Sequence, residues 1–115
     1  MIKRAHEIET VTKPAMLNGP GEVTFHHLAN KEELLEHARL FSILHLEKDC
    51  GIGYHVHNNE REFFYVLKGT PTVNDNGTEV VLQPGDYAMT EPGGGHSITN
   101  LADEPAEVLA LIMLA

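Results

Sequence analysis

A single cysteine, Cys50, among 115 residues means that no internal disulfide can staple this chain, so its fold must rest on a packed core. With no fixed partner pattern around it, Cys50 reads as a reduced thiol at a turn. Positive charge is scarce as well. Eight Lys and Arg stand against 17 Asp and Glu, a formal net charge of -9, which excludes the clustered basic surface that nucleic acid or an anionic membrane requires. No apolar run approaches the ~18 residues of a membrane span or has the form of a signal peptide, and the expected location is the cytoplasm. Internal repeats and low-complexity stretches are absent too, which removes the solenoid and disordered classes. What is present is ordinary globular composition, 42% hydrophobic and 22% charged, in a length that makes one domain.

The order of residues divides that domain. Residues 1–21, ending in Asn18-Gly19-Pro20-Gly21, read as an N-terminal arm without helix that closes in a turn-rich segment, and residues 22–115 as the main body. Asn30 is an N-cap residue followed by acidic residues in a first turn, which predicts one short helix over Lys31–Ala38. Beyond it lie short apolar or alternating runs punctuated by Gly, Pro, Asn and Asp. These runs predict strands at 40–46, 53–57, 62–68, 71–73, 79–82, 87–90, 96–100 and 106–113. Asn76-Gly77 between Val73 and Val80 signals a tight hairpin, because both residues tolerate positive φ. Many short strands and one helix specify an all-β sandwich or barrel, for which the jelly roll is a standard solution.

His55-Val56-His57 sets two imidazoles at i and i+2, so on an extended strand both rings share one face and can converge on one ion. Eight His in 115 residues supply about 0.5 such pairs by chance, so the pair alone is weak. Glu62 five positions on and Gly69 after it cut that expectation to about 0.01. A second cluster follows at Gly85-Asp86, Pro92-Gly93-Gly94-Gly95-His96 and Asn100.

Together the two clusters resemble the paired motifs of the cupins, G(x)5HxH(x)3-4E(x)6G and G(x)5PxG(x)2H(x)3N, over residues 51–100. Two positions depart from the pattern: Asp49 stands where the first glycine belongs, with glycines at 51 and 53 instead, and Pro92 lies one place late. Arg39-Leu40-Phe41, Gly51-Ile52-Gly53-Tyr54-His55, Asn74-Asp75-Asn76-Gly77 and Gly95-His96-Ser97-Ile98 are similar to small single-domain bacterial cupins, some of them oxalate decarboxylase-like. The resemblance implies a double-stranded β-helix, a homodimer, and one divalent metal ion on His55, His57, Glu62 and His96. Three imidazoles and a carboxylate suit Mn(II), Fe(II), Ni(II), Co(II) or Zn(II), with no thiolate to select a softer ion. An octahedral ion on four protein ligands keeps two positions for a chelating ligand, such as oxalate, a 2-oxo acid or a sugar derivative. The fold hosts isomerases, dioxygenases, decarboxylases and storage proteins, so two functions stay open: a metal-dependent enzyme on a small oxygenated acid, or a non-catalytic acid-binding or sensing module with the metal as anchor.

Other residues are weighed beside that set. Glu60, three positions after His57, competes with Glu62 as the carboxylate ligand, but only Glu62 has the motif distance to Gly69. Glu60, His45 and the tyrosines Tyr54 and Tyr65 are the proton-transfer candidates, and no spacing rule chooses among them. On a strand, His26-His27 places one ring on each face, and His6 and His37 read as solvated. Asn100 reads as a strand-end residue bonded to backbone, with contact to the site as its alternative. Arg39 and Arg61 offer bidentate forks for a substrate carboxylate, against a surface reading for each.

Overall fold

The structure, a computed structural model, describes residues 1–115. Ten strands follow in order: β1 Glu9–Pro14, β2 Glu22–His27, β3 Ala38–Leu46, β4 Cys50–Val56, β5 Glu60–Lys68, β6 Thr72–Asp75, β7 Thr78–Val81, β8 Tyr87–Thr90, β9 Gly95–Asn100 and β10 Ala106–Leu114. They form a six-stranded sheet in the order β1-β2-β3-β10-β5-β8 and a four-stranded sheet in the order β4-β9-β6-β7. Every pairing is antiparallel. The strand period of two decides the inner face. On β10, Ala106, Val108, Ala110 and Ile112 are buried, as are Leu44 and Leu46 on β3, Phe64 and Val66 on β5, and Ile98 on β9. Apart from Ile112, which lines a cavity, these residues, with Val23, Phe25, Ile52 and Val73, fill one core between the sheets. The arrangement is the jelly-roll barrel that the runs predict.

All eight predicted strands form, with ends shifted by up to three residues. The hairpin lies where Asn76-Gly77 places it: Asp75 pairs with Thr78, and Asn76 (φ +50) and Gly77 (φ +98) make the two-residue turn. Two features differ from expectation. Within the arm, Glu9–Pro14 is β1, which pairs with β2 and is flanked by 3-10 turns at Ala5–Glu7 and Met16–Asn18. The expected helix over Lys31–Ala38 does not form. Asn30 does cap a turn reciprocally, since Glu33 N–H donates to Asn30 Oδ1 (2.9 Å) and Asn30 N–H donates to Glu33 Oε1 (2.8 Å). Leu35 (φ +55) and Glu36 (φ +61) then turn left-handed and end it. A single turn without an apolar stripe to bury has nothing to sustain it, and Leu35 is itself exposed.

One irregularity positions the site. Ile52 pairs with Ile98 and His55 with His96, so β4 spends three residues where β9 spends two. This bulge at Gly53-Tyr54 reverses the parity of β4. Ile52 faces the core before it; His55 and His57 face inward after it. Gly53 is required here by close approach, because a Cβ would stand 2.0 Å from the Leu17 carbonyl oxygen of the arm. The motif departures have the same local explanation. Asp49 adopts φ +60, the left-handed conformation that suits a glycine, and the glycines at 51 and 53 instead make room for Thr99 and for Leu17. Pro92 and Gly93 form a turn closed by Gly94 N–H donating to the Glu91 carbonyl (2.9 Å).

Candidate metal centre

Three strands deliver the donors: β4 and the residue after it carry His55 and His57, β5 carries Glu62, and β9 carries His96. Glu62 has the inward parity of Phe64 and Val66, and His96 that of Ile98. His57, Glu62 and His96 are 2%, 5% and 1% exposed, so water does not serve their polar atoms freely. Their Nε2 and carboxylate oxygens converge instead. His55 Nε2 lies 3.0 Å from His57 Nε2, which lies 2.9 Å from His96 Nε2. Glu62 Oε1 is 2.8 Å from His57 Nε2 and 2.9 Å from His96 Nε2. The four donor atoms all fall within 4.8 Å of one another, a group that can hold a metal ion.

The other side of each ring explains why lone pairs point inward. His55 Nδ1 donates to the Gly53 carbonyl (2.7 Å), and His57 Nδ1 donates to Glu60 Oε1 (2.6 Å). His96 Nδ1 meets the Thr90 hydroxyl at 2.8 Å. A ring whose Nδ1–H is engaged presents Nε2 as an acceptor, the arrangement metal-bound histidines need. Three acceptors aimed at one point repel unless a cation or protons intervene. Accordingly, hydrogen bonding to Glu62 raises the pKa of His57 against the effect of burial. Burial lowers that of His55. Burial would raise the carboxyl of Glu62, but bonds from His57 and His96 hold it below its usual value. A metal ion would satisfy all four groups at once. Separations of 2.8 to 3.0 Å between neighbouring donors are short enough for one ion to reach them together.

Glu60 stands outside this set, behind His57. Arg39 grips it with two bonds of 2.6 Å, from Nε and Nη2. That guanidinium, aided by His57, keeps the Glu60 carboxyl down at about 2. Glu60 therefore orients His57, and Arg39 has its charge matched. Arg61 pairs with Glu91 on the surface (2.9 Å). His45 faces outward between Glu47 and Glu107, and Tyr54 and Tyr65 are exposed, so these proton-transfer candidates are away from the donors. Asn100 is fully buried and bonded to backbone: its Nδ2 donates to the carbonyls of Leu46 (3.0 Å) and Glu104 (2.8 Å), and its Oδ1 accepts from Ala102 N–H (3.1 Å). His6 and His37 are exposed.

A cavity of roughly 280 Å³ opens beside His55, His57 and Glu62. Its walls include Arg39, Lys13 and His27, and apolar residues that include Phe25, Leu44 and Ile52. Sequence reasoning named neither Lys13 nor Thr90. No local spacing marks them, since β1 reaches the cavity only through its pairing with β2, and Thr90 reaches His96 only through the turn between β8 and β9. His27 is the inward member of its pair, stacked on Phe25 (5.6 Å) with Nδ1 2.6 Å from Ser42 Oγ; His26 meets Thr10.

A two-sheet jelly roll with a convergent His-His-Glu-His group is the class this geometry defines. The chain belongs to the cupin family, whose Cupin domain profile matches residues 42–112. It is 38% identical over 114 residues to an oxalate-binding protein of Thermotoga maritima, covering 99% of this chain and 94% of that one. The crystal structure of a Thermotoga maritima protein described as a predicted oxalate decarboxylase superposes with a TM-score of 0.95 at 37% identity, covering all of both chains. A cupin-superfamily sugar phosphate isomerase from Silicibacter pomeroyi matches with a TM-score of 0.79 at 24% identity, over 96% of this chain and 73% of that one, a likeness of fold alone.

Proposed function

We propose that the protein binds one divalent transition metal on His55, His57, Glu62 and His96 and through it captures a small chelating organic acid of the oxalate or 2-oxo acid type. The observation that carries this reading is the convergence of three Nε2 atoms and one carboxylate oxygen within 4.8 Å of one another, each ring held from behind. Three imidazoles and one carboxylate suit Mn(II), Fe(II), Ni(II), Co(II) or Zn(II). When bound, such an ion supplies Lewis acidity and two positions for chelating oxygens. The chain's own part is to hold the donors, exclude water with the apolar wall, and keep the Glu60–Arg39 pair neutral beside the cavity. The oxalate-binding relative from Thermotoga maritima supports the ligand class.

Two functional readings share this site. In the binding reading the acid is held without turnover. His27 favours the enzyme reading, because its imidazole lines the cavity outside the donor group and is held by Ser42. A homodimer fits the outer face of the six-stranded sheet, where Phe41, Ile43, Phe63, Tyr65, Leu109 and Leu111 form an outward apolar surface. A free thiol at Cys50 fits the cytoplasm.

Thermal unfolding of Mn(II)-loaded and chelator-treated protein, each with and without oxalate, tests the proposal. Oxalate should raise Tm only when metal is present, by an amount that grows with its concentration. An equal shift in both forms would contradict a metal-anchored site. Following oxalate over hours by carbon NMR separates turnover from storage.

A further inference from the structure

The donor group occupies only part of the cavity it borders. Oxalate displaces about as much space as three waters, on the order of 90 Å³ at about 30 Å³ per water. The cavity holds roughly 280 Å³. Much of the remaining wall is apolar: Met16, Leu17, Phe25, Leu44, Ile52 and Ile112. Carboxylate oxygens facing such a wall lose water without gaining a partner, so an acid this short fits poorly there. A chain of methylenes gains about 0.8 kcal/mol for each group buried against it.

Charge on the wall adds a second constraint. Glu60 neutralises Arg39 through two bonds. Lys13 enters from β1 and makes no ion pair; its Nζ lies 5.7 Å from the centroid of the Phe25 ring. A divalent ion, the Glu62 carboxylate and this free ammonium leave two positive charges for a ligand to match. Lys13 on β1 and Glu62 on β5 line the same cavity but lie on strands that are not neighbours in the sheet. An acid held at the donors therefore meets Lys13 only through a spacer of several bonds.

We infer that the cavity takes a dicarboxylic acid with a 2-oxo or 2-hydroxy head and an aliphatic spacer: the head chelates at the donor group, the spacer lies against Phe25, Leu44 and Ile52, and the far carboxylate pairs with Lys13. This rests on the metal-anchored reading above and names its ligand class. Calorimetric titration of the Mn(II)-loaded full-length chain with oxalate, 2-oxopentanoate, 2-oxoglutarate and 2-oxoadipate tests it. A five- or six-carbon diacid should bind about tenfold tighter than the five-carbon monoacid, the worth of one charge-assisted hydrogen bond. Lys13 is exposed, so Lys13→Met leaves the fold intact. It should bring that ratio close to one without changing oxalate affinity, and Lys13→Arg should restore the preference. Tightest binding of oxalate or of the monoacid, or a diacid preference indifferent to Lys13→Met, would overturn the inference while sparing the metal-anchored site. Failure of every acid to bind, oxalate included, would remove both.

Discussion

His96 and Asn100 sit four residues apart on β9, face the same interior, and are 1% and 0% exposed, yet they solve the problem of a buried polar side chain in opposite ways. Every polar atom of Asn100 is matched to backbone, so it ties the end of β3 to the loop before β10 and completes that end of the barrel. His96 has one nitrogen matched by Thr90, while the other faces His57 and Glu62. Buried polar groups are ordinarily satisfied within the protein. One end of the strand is complete without a ligand, and the other keeps a nitrogen that a cation could take. The difference separates a structural polar residue from a binding one more sharply than burial does.

His96→Ala should break this comparison with the largest effect, cutting metal affinity on the order of a thousandfold or more, as read by competition with a chelator of known affinity. Asn100→Ala should do the converse. It strands the Leu46 and Glu104 carbonyls and should cost about 3 kcal/mol in urea unfolding, with metal affinity in the remaining folded protein changed by less than about twofold. Glu60→Ala sharpens the account of ring orientation: the Nδ1 of His57 loses its acceptor, and metal affinity should fall between about 10- and 100-fold. The smallest effect belongs to His45, on the outer face. Hydrogen bonding to Glu47, with Glu107, raises its pKa, so its contribution to stability is present below about pH 6.5 and disappears as pH rises through the raised value. His45→Gln should therefore lower Tm slightly at pH 5.5 and not at pH 9, with metal content matching that of the natural chain at each pH.

Much of this was legible in the sequence, for local reasons. Alternating runs between turn residues marked the strands from β3 onward, and Asn76-Gly77 carried its own turn geometry. The spacing of His55, His57, Glu62 and His96 predicted a group that the fold does bring together. Glu9–Pro14 was not legible as a strand because it is edge backbone with polar side chains on both faces, Val11 alone being sheltered. The segment from Lys31 carried an authentic cap, realised by Asn30 and Glu33, but a cap states where a turn begins and not how far it runs. Glu60 and Glu62 differ by two positions and share a strand face, so only the third dimension separates the residue behind His57 from the one in front of it. Lys13 reaches the cavity through pairing across the sheet, which no local pattern records.

The most direct test of the central claim is metal content by elemental analysis of tag-free protein purified without chelator, for the natural chain and for His57→Ala. The account predicts about one equivalent of a single divalent transition metal in the first and essentially none in the second. Sub-stoichiometric metal that the substitution leaves unchanged would contradict it.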